Sequence, residues 1–419
     1  MPLFLPYFCY NISMGNNIPR KMNRILILGG GFGGVATARK LAKDMPENSS
    51  IQMVSMKNYL EYYPALYRMI TSSSPIEVCV PLYEMLPERV AVDIDEIIEI
   101  DVVEKHAIGK SGSKYFYDTL IVAMGSETAY FGIESLKTMA LGFRSASEAI
   151  KLKNHLAHLF ASHSHQDKNE LVSHYHIVVV GGGPTGVEVA GDMVAHMRSL
   201  AKIHQTDPSL VTVDLIEANN RLLSMMSEDV SDRVMARLRT LGVNIFLNRQ
   251  LVKNDIEEVF LKDMTLETKT LIWTAGTQLN SVCTNTKGFT FTDRKRIAVN
   301  EYMEAVGLSD VYIIGDAAGT KYSGLAQTAI YDGKYVAKTV VGKAKNKKIE
   351  KYKEKPVAFS IPVGDSWGAF KMGKFTIYGY PAYMIRHAID FIYFSQVLSF
   401  KNFISLFLEG FKYRKVSEE

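Results

Sequence analysis

The stretch Leu28-Gly29-Gly30-Gly31-Phe32-Gly33-Gly34-Val35-Ala36-Thr37-Ala38 follows an apolar run, Arg24 to Leu28, and opens an amphipathic helical pattern. It marks the point where a strand turns into a helix. Gly29, Gly31 and Gly34 keep the G-x-G-x-x-G spacing, and Ala38 is small where helix and strand must pack closely. The first glycine permits the tight turn, and the second lets the backbone approach a pyrophosphate. The helix N-terminus then offers free N–H groups and the positive end of its dipole to that anion. One such match is weak evidence, because glycine-rich turns also arise for packing alone.

This chain has the pattern twice. The apolar run His176 to Val180 leads into Gly181-Gly182-Gly183-Pro184-Thr185-Gly186-Val187-Glu188-Val189-Ala190, with the same spacing and a small residue at the same offset. Two strand-turn-helix fingerprints in one chain point to two dinucleotide sites on an α/β fold with two Rossmann-like domains.

Composition sets the frame. A chain of 419 residues is too long for one ordinary domain, and 47% hydrophobic against 22% charged residues supports large cores. A formal charge of +4, with no basic-aromatic stripe, gives no reason to expect nucleic acid. The three cysteines, Cys9, Cys79 and Cys283, form no C-x-x-C, so neither a disulfide framework nor a thiolate metal site is expected. The histidines at 155, 158, 163, 165, 174 and 176 lack acidic or thiol partners at fixed spacing, and no metal is expected there. Residues 1–21 read as an extension, disordered or preceding a later start at Met22; their apolar run lacks the basic flank and cleavage site of a signal peptide.

Between the fingerprints the pattern predicts a helix to about Lys43 and a strand from Ile51 to Ser55. In a dinucleotide fold this strand usually ends in an acid that accepts from a ribose; here Ser55 stands there, with Lys57 in reach of a phosphate. The segment Asn58 to Pro64 is aromatic, either core or a wall for a ring. Val80-Pro81-Leu82 reads as a helix start, 89–121 as β-rich, and a strand ends in Ala123-Met124-Gly125. After the second fingerprint, the strand from Val211 ends in Glu217. A carboxylate there accepts from a free 2′-hydroxyl and repels a 2′-phosphate, which favours NADH over NADPH. Thr274-Ala275-Gly276 mirrors the Ala-Met-Gly strand end, and Gly315-Asp316 closes a further apolar strand, placing a carboxylate for a polyol. Residues 343–355 are lysine-rich and read as a solvated linker. Phe400, Phe403, Ile404, Phe407, Leu408 and Phe411 fall on one helical stripe, either core or membrane interface.

Taken in order, these motifs resemble the two-dinucleotide-binding-domain flavoproteins and, within them, the type II NADH dehydrogenases, the non-pumping NADH:quinone oxidoreductases. Asn58-Tyr59, Pro64, Tyr67, Val80-Pro81-Leu82, Glu188 and the segment Ala326-Gln327 to Tyr331-Asp332-Gly333 carry the closer likeness. The resemblance implies FAD on Gly29, Gly31, Phe32, Gly33, Gly34, Ser55, Lys57, Pro64, Ala123, Gly125, Gly315, Asp316, Ala326 and Gln327. It implies NADH on Gly181, Gly183, Pro184, Thr185, Gly186, Glu188, Glu217, Ala275 and Gly276. Glu188 would sit close to nicotinamide and flavin, and Gln327 and Tyr331 at the quinone end, although the family usually has glutamine where Tyr331 stands.

The implied organisation is an FAD-binding domain of 22–142 and 285–345, an NADH-binding domain of 143–284, and a membrane-association region of 346–419. The C-terminal amphipathic helices would dock the enzyme as a peripheral, monotopic protein on the cytoplasmic face of the cell membrane, as a homodimer. Three other readings compete. Sulfide:quinone oxidoreductases need redox cysteines at the flavin, and disulfide reductases need a cysteine pair after the first helix; this chain shows neither. A non-catalytic flavoprotein sensing NADH would turn over slowly with every quinone.

Overall fold

The computed structural model describes residues 23–71, 78–161 and 172–406. The extension 1–21, the segment 162–170 and the stripe residues Phe407, Leu408 and Phe411 lie outside the described residues.

The apolar run before the first fingerprint becomes the strand Asn23–Leu28, with Ile25 to Leu28 all buried, as expected of a strand covered on both faces. It lies at the middle of a five-stranded parallel sheet ordered Val311–Ile313, Thr119–Val122, Asn23–Leu28, Ser49–Ser55, Val90–Ile94. The second fingerprint strand, His176–Val180, is central in a second parallel sheet. Its order is Leu141–Gly142, Thr270–Trp273, His176–Val180, Thr212–Ile216, Val243–Phe246. This sheet takes in Leu141 and Gly142, at the edge of the 22–142 stretch. Each sheet has an antiparallel three-stranded meander, Ile97–Asp101 to Lys114–Phe116 in the first and Leu251–Asn254 to Thr265–Glu267 in the second. The two units are thus the same design. A two-stranded ribbon, Ser126–Thr128 against Thr277–Leu279, ties them together.

Helix Phe32–Asp44 follows the first fingerprint and packs on helix Ala326–Ala344. The approach is close because Gly333 faces the backbone: a Cβ there would meet the Gly33 carbonyl oxygen at 2.4 Å. Helix Pro184–Ile203 follows the second fingerprint.

The C-terminal region departs from expectation in three places. Residues 343–355 are exposed except for Ile349 and Tyr352, as a solvated linker would be, but the segment is also a strap held on helix Ala326–Ala344. Tyr352 packs between Tyr331 and Tyr335 and donates its hydroxyl to the buried Asp332 at 2.7 Å. Next comes an antiparallel sheet of Ala358–Pro362, Gly368–Met372 and Phe375–Gly379, whose middle strand the residue pattern does not announce. Finally, the apolar stripe divides: Phe403 is 7% exposed and packs edge-on against Phe391, whereas Phe400 is 82% exposed. A smaller difference lies at Val80-Pro81, which belongs to the strand Cys79–Pro81 and is followed by one helical turn, Leu82–Met85.

Helix Tyr380–Val397 is inside-out. It buries Ala382, Arg386, Asp390 and Phe394 and exposes Tyr380, Met384, Phe391 and Ile392. No helix among the described residues is long and apolar enough to cross a membrane.

Candidate active site

Both fingerprints form cradles, and for the same local reasons. Gly29 and Gly181 have φ of +109° and +118°, in the left-handed region that glycine tolerates. Gly34 and Gly186 sit in the first helical turn against those glycines; a Cβ would stand 1.9 Å from the Gly29 oxygen and 1.8 Å from the Gly181 oxygen. Gly31 and Gly183 differ. No atom lies within 4 Å of where their Cβ would be, so each leaves open space in front of its helix. Neither helix is capped by a side chain. The first-turn amides are therefore left to a ligand, and an anionic pyrophosphate fits both cradles.

The neighbouring strand ends close each cradle. The space a Gly29 side chain would need is taken by the Ala123 carbonyl, and that of Gly181 by Ala275. Thr274 donates its hydroxyl to the Val180 carbonyl at 2.8 Å, and the turn after it runs through Gly276 at φ +75°. In the first unit Gly125 makes the same turn at φ +69°.

The residues at the tips of the second strands are built differently. Glu217 is buried and points back into its own cradle. One carboxylate oxygen accepts from the Gly182 N–H at 2.6 Å, and the other from the Asn219 backbone and side chain at 2.7 and 2.6 Å. Ser55 occupies the matching place in the first unit, and its hydroxyl is donated to the Lys57 carbonyl at 2.8 Å. Lys57 pairs with Glu61 at 2.7 Å. Beside them a cavity of about 460 Å³ opens, lined by Lys57, Tyr63, Ser126 and Arg144 among others.

Asp316 is half-buried between the units. It accepts from the Ser126 hydroxyl, and Arg144 lies 3.7 Å away while donating to Ser126 at 2.6 Å. Ser126 and Arg144 were missed as site residues. Their signal was present, since Ser126 follows the Ala-Met-Gly strand end, but nothing local ties Arg144 to Asp316. The Gly315 amide before Asp316 is held by Asp332 at 3.1 Å.

Phe32, Pro64, Gln327 and Tyr331 are placed by their surroundings. The Phe32 ring packs on Tyr62 and Tyr393 at 5.7 and 5.4 Å, which fastens the first fingerprint helix to the C-terminal helix. Pro64 opens the short turn Tyr63–Ala65. Gln327 is exposed beside Ala326 at the start of its helix and accepts from the Ala358 amide at 3.0 Å. Tyr331 turns toward the strap: its hydroxyl is donated to the Lys353 carbonyl at 2.9 Å, and the Lys355 ammonium covers its ring at 4.5 Å.

Glu188 lies one turn into the second fingerprint helix, with Asp192 one turn further. Among the described residues neither carboxyl has a hydrogen-bond partner. Burial pushes Glu188 up to about 8, with Asp192 and Asp390 adding to the rise and Arg386 and Arg68 opposing it. Burial and then Asp365 push Asp192 up to about 7, against the pull of Arg68.

The free cysteines among the described residues are Cys79 and the buried Cys283. Burial pushes their thiols up to about 11 and about 12, so neither is a ready nucleophile. The histidines serve the fold: His155 bonds Thr270 at 2.8 Å, His174 the Leu159 carbonyl at 2.6 Å, and His176 pairs with Asp214 at 2.9 Å.

Comparison with known proteins agrees with this geometry. The type II NADH:quinone oxidoreductase Ndh of Mycobacterium tuberculosis is 28% identical over 340 residues, covering 77% of this chain and 73% of that protein. The structure of NDH2 from Plasmodium falciparum in complex with NADH superposes with a TM-score of 0.81 at 18% identity, over 94% of this chain and 98% of that one. The sulfide:quinone oxidoreductase of Aquifex aeolicus gives 0.74 at 17% identity, over 89% and 91%. These two likenesses are of fold. Residues 23–333 match the family model described as pyridine nucleotide-disulphide oxidoreductase, and with both cradles inside that span the chain belongs to this family.

Proposed function

We propose that this chain is a type II NADH:quinone oxidoreductase: it takes a hydride from NADH, passes two electrons through FAD to a membrane quinone, and pumps no protons. The observation that carries the reading is the pair of open cradles in one chain, the second with the buried acid Glu217 at its ribose end. The curated relatives, 28% and 26% identical over about three quarters of this chain, are named as such oxidoreductases.

The first cradle would hold FAD. Its amides at Gly31 to Gly34 take the pyrophosphate, Asp316 takes the ribitol chain, and Ser55 and Lys57 face the adenosine. The second would hold NADH, with Glu217 on the ribose. When bound, the flavin supplies the two-electron relay between nicotinamide and quinone. The chain supplies orientation: the ribbon between the units fixes the two cradles relative to each other, so the donor meets the acceptor in one geometry. The net reaction is NADH + H⁺ + quinone → NAD⁺ + quinol. Glu188, whose carboxyl burial pushes up to about 8, can release the proton that the hydride does not bring.

The exposed apolar face of helix Tyr380–Val397 supports docking in a membrane interface, where Phe391 and Ile392 enter the lipid. A homodimer on the cytoplasmic face of the cell membrane is the arrangement the resemblance implies. The sulfide:quinone alternative has no support from the half-buried Cys79 and the buried Cys283, which lie in a strand and a helix far apart in the sequence and whose thiols burial pushes up.

The test is anaerobic. The purified protein should be yellow, bleach with NADH and recover with a soluble quinone. Bleaching by sulfide and not by NADH, or recovery with no quinone, overturns the proposal.

A further inference from the structure

Helix Ala326–Ala344 is wedged between the first fingerprint helix and the turn that carries Asp316. On one side Gly333 closes on the Gly33 carbonyl, and on the other Ala329 stands against Gly315: a Cβ at Gly315 would lie 3.2 Å from the Ala329 Cβ. At this wedge the helix places a carboxylate, Asp332, which is 0% exposed. One of its oxygens accepts from the Gly315 N–H at 3.1 Å, and the other from the Tyr352 hydroxyl of the strap at 2.7 Å. Burial pushes the Asp332 carboxyl up to about 6, against the pull of those two donors. An apolar side chain of similar size would suit the core better, so the use of the carboxylate lies in what it holds.

It holds the start of the Asp316 turn. Gly315 has φ +66°, in the region where a glycine backbone is least restrained, and it opens the turn Gly315–Ala317. Its carbonyl accepts from the Ala318 N–H at 3.1 Å, and its N–H is taken by Asp332. With Gly315 held from both sides, the Asp316 carboxylate is aimed at Ser126 and Arg144. The Asp332 carboxylate is fixed in its turn. Tyr352 is seated between the Tyr331 and Tyr335 rings, and its own N–H donates to the Glu301 carbonyl at 2.7 Å. The Tyr331 and Tyr335 hydroxyls hold the strap on either side of it, at the Lys353 and Glu350 carbonyls. Hydrogen bonds therefore run without a break from the strap through Asp332 to Gly315, next to Asp316.

We propose that Asp332, locked by Tyr352 of the strap, is a positioning residue for the flavin: it fixes the Gly315 peptide and thereby the direction in which Asp316 meets the ribitol chain. The inference rests on the reading of the first cradle as the FAD site and deepens it, because it makes the strap part of the hold on the cofactor. Asp332 acts through Asp316 and touches no reacting atom. Removing its acceptor leaves the Gly315 peptide free to turn, and the Asp316 carboxylate loses its aim.

The test follows flavin release from the flavin-loaded full chain after dilution, by the return of flavin fluorescence, with the visible circular dichroism of the bound flavin as a second readout. Asp332→Leu keeps the size and removes both acceptor oxygens. Release should quicken about tenfold, the loss of one hydrogen bond to a charged group, and the circular dichroism band should change. Asp332→Asn should restore both readouts, because its side-chain oxygen still accepts from Gly315 and its amide can donate to the Tyr352 oxygen. Tyr352→Phe leaves the carboxylate free to rotate and should quicken release about threefold; it carries the test if Asp332→Leu does not fold. Asp316→Asn should release flavin fast, and adding Asp332→Leu to it should change nothing further, because the two act as one unit. Wild-type release from both Asp332→Leu and Tyr352→Phe, Asp332→Asn as leaky as Asp332→Leu, or effects at 332 and 316 that multiply overturn the proposal. A wild-type protein that takes up no flavin overturns the reading of the first cradle, and the proposal with it.

Discussion

The Gly186→Ala variant separates the two cradles in one experiment. A Cβ at Gly186 would lie 1.8 Å from the Gly181 oxygen and 2.7 Å from the Thr274 hydroxyl oxygen, whereas ordinary contact begins at 3.4 Å. Gly181 cannot yield easily, because its φ of +118° and the Thr274 bonds fix the turn. The helix must therefore retreat by about 1.6 Å. A hydrogen bond from a first-turn amide to a phosphate oxygen at about 2.9 Å would be stretched beyond use. One charge-assisted bond is worth about 2 kcal/mol, so the affinity for NADH should fall at least ~30-fold. Overpacking costs the fold about 1–3 kcal/mol, which a domain of this size survives. The assay is anaerobic stopped-flow absorbance. The variant should purify yellow, bleach normally with dithionite, and need at least ~30-fold more NADH for half-maximal bleaching. Gly34→Ala, with its Cβ 1.9 Å from the Gly29 oxygen, should instead lose the flavin. Wild-type NADH affinity in Gly186→Ala, or loss of flavin from it, refutes the assignment of the second cradle.

The other expectations concern the rim of the site, the docking face and the strap. Glu217→Ala removes the acceptor at the ribose position and should raise the KM for NADH about tenfold while improving the use of NADPH; an unchanged kcat/KM ratio for the two coenzymes counts against it. Phe391→Ser with Ile392→Ser removes two exposed apolar side chains, each worth about 1.5–3 kcal/mol on burial in lipid. Vesicle affinity should drop at least ~30-fold, with a small fall in melting temperature from the lost Phe391–Phe403 ring contact, and wild-type co-sedimentation would rule out this face. Tyr352→Phe tests the strap. Burial pushes Asp332 up to about 6, above its value in an unfolded chain, so the stability it contributes is lost as pH rises through that point. The Tyr352 hydroxyl offsets part of this loss in the ionised form. The variant should therefore cost about 1.5 kcal/mol at pH 8 and much less at pH 5 in denaturant titrations; equal costs would place the hydroxyl's role elsewhere.

The cradles were legible in the residues because their demands are local. A turn at positive φ, a helix seated on its own first glycine and an open approach at the second are satisfied within seven residues, Gly29 to Val35 or Gly181 to Val187. The strand tips followed, since Glu217 and Ser55 are reached by counting along one strand and one helix. What stayed hidden was of another kind. The lysine-rich 343–355 is solvated as its composition says, with all but Ile349 and Tyr352 exposed; what composition does not show is that Tyr352 docks it between Tyr331 and Tyr335.

The sequence by itself determined that two glycine-rich cradles exist and which of them carries an acid at the tip of its second strand. Those properties depend on the backbone freedom of glycine and on residues a few positions apart. Only the tertiary structure decided that Asp316 meets Arg144, that Tyr331 faces the strap, and that Tyr62 and Arg68 meet Asp390, more than 300 residues further along the chain. The helical period around Arg386 is no guide to that contact. A helix with apolar residues on one side and charges on the other buries its apolar side in water-filled surroundings. Helix Tyr380–Val397 does the reverse, because its buried face meets Arg68 and Tyr62 and its outer face is left free for lipid.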